Sequence, residues 1–215
     1  MRDFLSTDGP VFGFLKITGN IIIATIFWIL GCIPVVTIGT SCAALYYCIM
    51  KSVRKDVGYV HKEFWRSYRI NLKSGIVSTL IIAVFGFVFG YETILIGQSE
   101  MEMGGLWTMI ARVVVVVGAM ILMYLFPVIS RFDLPLFQLW KLALVIAIRY
   151  FYYTIVLALG FALAVFVQLK FLPLPLILLT PGLWCYGTTF IVEKAMKPYI
   201  PKSDIEDEDQ KPWYE

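Results

Sequence analysis

Charged side chains are scarce in this sequence, at 15% of the residues against about 25% in soluble domains. Histidine is scarcer still, because His61 is the only one, and the four cysteines form no C-x-x-C pair. A zinc site needs three or four ligands, so no metal site is predicted. The sequence also lacks a G-x-S-x-G elbow, a Walker loop and an H-E-x-x-H pair. We therefore expect no enzyme and no cofactor. An intramembrane enzyme is the open alternative, but no residue in the sequence is a candidate for its nucleophile.

Apolar side chains are abundant instead and are gathered into long blocks. Hydrophobic residues make up 60% of the chain, and the mean hydropathy is +0.80. Five blocks carry no charge: residues 17–50, 74–91, 113–130, 150–169 and 171–192. Each is near or above the roughly 18–20 residues that cross a hydrocarbon core about 30 Å thick. Because backbone groups inside lipid need internal partners, these blocks predict an all-α, polytopic transmembrane helical bundle that contacts membrane lipid.

The charges between the blocks predict the orientation of the helices. Residues 51–73 contain seven basic side chains, whereas residues 97–105 contain only Glu100 and Glu102. Basic side chains recur in residues 131–149 and after residue 193. Since basic loops stay on the cytoplasmic side, this alternation predicts a cytoplasmic C-terminus. The four spans that it implies cover residues 74–97, 106–130, 150–170 and 173–192.

The first block is ambiguous, because its 34 uncharged residues are too many for one untilted span and too few for two full ones. Pro34, Gly39 and Thr40 interrupt it, and proline breaks a helix. We predict a helix over residues 10–33, a turn over 34–40 and a helix over 41–55. The total is then six helices with a cytoplasmic N-terminus. The alternative is one kinked span, five helices in total and an external N-terminus.

Two short amphipathic helices are predicted on the cytoplasmic side. Val60, Phe64 and Tyr68 recur at four-residue spacing beside Trp65, with charged residues on the other face. A second such helix begins after Asp133 and carries aromatic residues near its start. Such helices lie in the headgroup layer or dock onto a partner. The candidate docking residues are Phe64, Trp65, Tyr68, Phe137 and Trp140.

Two further features lie near the ends of the predicted spans. Glu92 and Arg112 flank the acidic external turn at similar depth, where they either form an ion pair or separately extend to the interface. Residues 1–200 are predicted to form one transmembrane domain. The remaining residues, 201–215, include an acidic run of the kind that is usually disordered and solvated.

Several short motifs lie between about residue 30 and residue 200. They are Pro34–Gly39, Ala43–Tyr46, Gly58-Tyr59 with Phe64, Tyr68 and Asn71, Arg131–Asp133 with Gln138 and Lys141, Pro181–Leu183, and Lys197–Tyr199. In their order and spacing, more than in any single motif, they resemble the YesL-like family of bacterial integral membrane proteins. Thr40 departs from the proline common in that family, and Tyr150 departs from its histidine.

The resemblance implies a bacterial cell-membrane location and a role near carbohydrate uptake, because genes of this family often neighbour sugar importers of the ABC type. It implies no catalytic residue. The first functional hypothesis is therefore an accessory membrane protein that associates with the permease subunits of a carbohydrate ABC importer. The second is a small transporter or channel that acts alone. Nothing in the sequence points to nucleic acid as a partner.

Overall fold

The computed structural model of the chain describes residues 10–96, 104–171 and 174–200, with side chains over 12–91, 109–170 and 180–200. The described residues form an all-α bundle. Its helices are α1 (Pro10–Cys32), α2 (Ile38–Cys48), α3 (Val60–Ile70), α4 (Leu72–Ile96), α5 (Gly104–Arg131), α6 (Leu136–Arg149), α7 (Phe151–Phe171) and α8 (Leu174–Met196). A 3₁₀ turn, Val35–Thr37, leads into α2, a π turn, Ile49–Arg54, extends it, and a 3₁₀ turn, Lys197–Tyr199, follows α8.

Five helical runs in the described part of the chain are long and apolar enough to cross a membrane. They confirm a multi-pass helical membrane protein. The runs are Phe12–Cys32, Val35–Arg54, Leu72–Tyr91, Met109–Arg131 and Phe151–Lys170. The predicted sixth span coincides with α8, whose first residues have no described side chains, so the count of six stays a prediction.

The first apolar block contains two helices and not one kinked span. The predicted turn over residues 34–40 was too long, because a helical turn resumes at Val35 directly after Pro34. Thr40 and Ser41 are buried inside α2, and Ser41 Oγ donates to the Thr37 carbonyl at 3.0 Å. The helix therefore continues without a break through Thr40 and Ser41.

The helical run that contains α2 lies at the centre of the bundle. In this run, Val35–Arg54, 72% of the apolar stretch that is long enough to cross a membrane is buried inside the protein, against 11–33% in the other four runs. Helices α1, α3, α4, α5 and α8 all pack around α2. The central position of α2 therefore follows from its contacts with these five helices.

The crossing of α2 with α4 depends on two glycines. Gly39 N–H donates to Thr79 Oγ1 at 2.9 Å, and a Cβ added to Gly75 would lie 2.6 Å from Thr40 Cα. Small residues at such a crossing let two backbones approach closely, which is how helices associate in lipid.

The segments α2–α3–α4 and α5–α6–α7 repeat one layout. In each, a short helix packs against the membrane-length helical run before it. A single-residue break then leads into the next long helix. The breaks are Asn71, whose N–H donates to the Ser67 carbonyl at 3.0 Å, and Tyr150, whose N–H donates to the Ile146 carbonyl at 2.9 Å. The two predicted short helices are therefore present, as α3 and α6. The tail over residues 201–215 lies outside the described residues.

Candidate functional site

A buried ion pair joins α2 to α3. Lys51 lies on the π turn that extends α2, and its Nζ is 2.9 Å from Glu63 Oε2, with the two side chains 8% and 12% exposed. The π turn inserts an extra residue into the helix, and such turns often occur at functional sites. Because a buried charge without its partner is strongly destabilising, this pair secures α3 against the bundle.

A second ion pair joins α5 to α8 at the same end of the bundle. Arg131, the last residue of α5, pairs through Nη2 with Glu193 Oε1, and both side chains are largely buried. Arg54, at the end of the π turn, adds a third link, because its Nη1 donates to the Thr189 carbonyl at 2.9 Å. Its guanidinium also lies 4.2 Å from the centroid of the Phe190 ring. Three basic side chains therefore tie α2, α3, α5 and α8 together.

A further polar contact closes this end of the molecule. Arg149, the last residue of α6, donates from Nη1 to the Tyr199 hydroxyl at 3.2 Å. This hydrogen bond raises the pKa of Arg149. The hydrogen bond connects α6 with the 3₁₀ turn that follows α8.

An apolar cavity of about 760 Å³ lies between α1, α2, α5, α7 and α8. Aliphatic and aromatic side chains make up nearly all of its wall. The lining residues are Trp28, Cys42, Leu45, Tyr46, Ala119, Leu122, Met123, Phe126, Pro127, Leu157, Phe161, Ala164, Val165, Gln168, Leu169, Thr180, Pro181, Trp184, Cys185 and Thr188.

The few polar groups in the cavity wall are mostly engaged within the protein. Thr180 Oγ1 donates to Gln168 Oε1 at 2.5 Å, and Thr188 Oγ1 donates to the Cys185 carbonyl at 2.8 Å. The Tyr46 hydroxyl is the exception: it is buried, and it has no hydrogen-bond partner among the described residues. The cavity therefore offers little to a ligand that needs several hydrogen bonds.

The predicted docking residues of the first short helix lie inside the molecule or at its edge. Phe64 is fully buried, and its ring centroid lies 5.9 Å from that of Phe27 on α1. Trp65 and Tyr68 are half-buried and complete the same aromatic cluster. These residues hold α3 on α1, so Phe64 presents no surface to a partner in this structure.

The predicted docking residues of the second short helix differ from each other in exposure. Phe137 is 81% exposed. Trp140 is half-buried, and its Nε1 donates to Ser78 Oγ on α4 at 3.3 Å. The two side chains therefore lie on different faces of α6: Phe137 faces outwards, and Trp140 faces the bundle.

The proposed pairing of Glu92 with Arg112 stays a prediction. Arg112 is exposed, whereas the side chain of Glu92 lies outside the described residues. Among the residues that the structure describes, no three His, Cys, Asp or Glu side chains are close enough to hold a metal ion.

The two ion pairs and the cavity were not predicted from the sequence. Glu63 is one of the charged residues on the polar face of the first predicted short helix. Residues 51–73 contain seven basic side chains and only two acidic ones, Asp56 and Glu63. This excess of basic over acidic side chains was the feature of the sequence that could have indicated an ion pair at Glu63. Asp56 has a partner of its own, because it lies 2.7 Å from Lys16 in an exposed pair.

Residues 21–93 match the model of a family described as a protein of unknown function, DUF624. The match covers about a third of the chain and includes α2, α3, most of α4 and the Lys51–Glu63 pair. No curated protein and no solved structure matches the chain.

Proposed function

We propose that this protein is an accessory integral membrane protein that associates with the permease subunits of a carbohydrate ABC importer. The observation that carries the proposal is an uncovered apolar stripe along α6. Phe137, Val145 and Ile148 are exposed at helical spacing, with Lys141 between them. Leu139, Ala143, Ile146 and Ala147 occupy the opposite face and are buried in the bundle.

The length of α6 distinguishes it from the membrane-spanning helices. Its 14 residues extend over about 21 Å at 1.5 Å per residue, which is short of the hydrocarbon core. A short helix with one face buried in its own protein and an apolar outer face provides a groove-binding surface for another membrane protein. Lys141 can meet an acidic or carbonyl group at the edge of such an interface.

The interior of the protein favours this role over that of a stand-alone sugar transporter. A sugar path needs several hydrogen-bonding groups, whereas the cavity wall is almost entirely apolar. Two of its polar side chains, Gln168 and Thr180, are bonded to each other. The charges of Lys51, Glu63, Arg131 and Glu193 are used in ion pairs.

The family resemblance supplies the identity of the partner. The segments matched by the family model include Pro34–Gly39, Ala43–Tyr46 and Gly58–Asn71, which resemble the YesL-like family. That resemblance implies proximity to carbohydrate importers and a bacterial cell-membrane location, and the basic side chains between the apolar blocks predict a cytoplasmic C-terminus. With this orientation, the ion pairs and both short helices lie at the cytoplasmic side, where permease subunits meet their ATPases.

The experiment is purification of the tagged protein from its own membranes in a mild detergent, followed by mass spectrometry of the proteins that accompany it. We expect permease subunits of a carbohydrate importer to co-purify with the unaltered protein. Phe137→Ala should reduce their recovery by about tenfold, the loss of an interface anchor worth roughly 1–2 kcal/mol.

The matched control is Phe87→Ala on α4. Phe87 is 75% exposed, close to the 81% of Phe137, and it lies nine residues beyond Ser78, the α4 residue that Trp140 of α6 contacts, which is about 13 Å along the helix. Recovery of the permease should be unchanged by this substitution. The proposal is wrong if the protein purifies alone, if other proteins accompany it but no permease does, or if it moves a solute by itself in liposomes.

A further inference from the structure

The cavity is elongated along the helices. On α7 its lining extends from Leu157 to Leu169, which is about 18 Å at 1.5 Å per residue. This is more than half of a hydrocarbon core about 30 Å thick. The volume of about 760 Å³ falls within the usual size of ligand pockets. An extended molecule fits this shape better than a compact one.

Close contacts at three places fix the positions of the helices that form the walls of the cavity. On α8, a Cβ added to Gly182 would lie 2.3 Å from Thr25 Oγ1 of α1, so those two helices are in close contact. The Trp184 ring lies against Gly160 of α7, at 3.1 Å from where a Cβ would stand. Arg131 and Glu193 join α5 to α8. The cavity is therefore part of the packed architecture and does not close by a small shift of one helix.

The chemistry of the wall selects an apolar occupant. A sugar or an ion placed here would lose its hydrogen bonds to water and find few replacements, because the lining is almost wholly aliphatic and aromatic. A hydrocarbon chain has no hydrogen bonds to lose on entry, and it makes dispersion contacts with the wall. Four of the five lining helices belong to the runs long and apolar enough to cross a membrane, so the cavity lies at the level of lipid tails.

We propose that this cavity binds one hydrocarbon chain of a membrane lipid, extended between α5 and α7. The cavity is open at the surface along α7, where the lining residues Phe161, Val165 and Leu169 are exposed, so a lipid chain can enter it from the surrounding bilayer. The lipid tail is the apolar molecule that surrounds these helices at high concentration. The site is independent of the accessory role and of any partner on α6.

The test uses the full-length protein reconstituted in vesicles of phosphatidylethanolamine and phosphatidylglycerol. The vesicles contain a small fraction of phosphatidylcholine with a photoactivatable diazirine in its palmitoyl chain. After illumination, the labelled residues are mapped by mass spectrometry. We expect labelling of cavity residues such as Met123, Leu157 and Ala164, saturable by unlabelled lipid, above the labelling of the exposed Phe87 on α4.

Two substitutions on α7 provide a matched pair. Ala164→Trp places an indole ring in the cavity, whereas Ala162→Trp places the same ring on the exposed side of the same helix. We expect Ala164→Trp to lower labelling of Met123 and Leu157 at least about fivefold because it occupies the space. Ala162→Trp should leave that labelling unchanged. Size-exclusion chromatography and helical circular dichroism check that both variants fold, and Ala119→Phe on α5 serves as a second cavity-filling variant.

The proposal is overturned if labelling of the unaltered protein follows exposure alone, with cavity residues labelled no more than Phe87. In that case, the label reports only lipid that contacts the outer surface of the protein. It is equally overturned if folded Ala164→Trp and Ala119→Phe proteins keep the labelling of the unaltered protein.

Discussion

Lys51 of the α2 extension and Glu63 of α3 face each other at 2.9 Å with almost no exposure to solvent. The chain between them turns through Asp56 and Gly58, both of which have positive φ. The pair closes this turn and presses α3 against the central helix. Its two residues lie within the segment matched by the family model, which makes it a structural feature that relatives can be examined for.

Removing the acidic partner should destabilise the bundle. Glu63→Gln removes the carboxylate that pairs with the buried Lys51 ammonium, and breaking a buried ion pair typically costs about 3–5 kcal/mol. We expect a lower midpoint in thermal unfolding in detergent. Asp56→Asn is the control, because the Lys16–Asp56 pair is exposed and should contribute no more than about 1 kcal/mol. Equal effects of the two substitutions would contradict a special role for the buried pair.

The ion pair between Arg131 and Glu193 should show strong coupling. Arg131→Gln and Glu193→Gln each break this largely buried ion pair, so each should destabilise the protein by about 3–5 kcal/mol. The double variant removes both charges and should be less destabilised than the sum, by roughly 0.5–3 kcal/mol. A double-mutant cycle on unfolding midpoints measures this. Strict additivity would mean that the two residues do not interact in the folded protein.

The glycine at the α2–α4 crossing should not tolerate a side chain. In Gly75→Ala the new methyl group would stand 2.6 Å from Thr40 Cα, so the helices must separate at a cost of about 1–3 kcal/mol. Gly86 lies on the same helix, and a methyl group added there would have no neighbouring atom within 4 Å. Gly86→Ala should be neutral or stabilising by up to about 1 kcal/mol, because alanine favours helix. Thermal unfolding of the two proteins distinguishes the sites.

The two aromatic residues of the short helices should differ in their effect on stability. Phe64 is fully buried, so Phe64→Ala should cost about 3–5 kcal/mol through lost burial and a cavity. Phe137→Ala should change the free energy of unfolding by less than about 0.5 kcal/mol, as exposed substitutions usually do. Loss of stability in Phe137→Ala alone, without a partner present, would show that α6 packs differently from the arrangement described.

The sequence by itself determined the class of the protein and the approximate bounds of its helices. Charge-free runs and proline positions are local features, and the length of an apolar run relates directly to the thickness of a membrane. That is why residues 74–97, 106–130 and 150–170 were predicted within a few residues of α4, α5 and α7. The two short helices were predicted for the same reason, since their periodicity lies within a dozen residues.

The tertiary structure alone decided which helix is central, which charges are paired and where the cavity lies. The run Val35–Arg54 is less apolar than the other four and is rich in small residues, but this composition alone does not show which helices pack around it. Phe64 and Phe137 each stand on a short amphipathic helix, yet one is buried against α1 and the other is exposed. Their difference depends on contacts with helices distant in sequence, and in a bilayer the hydrophobic pattern carries little information about those contacts.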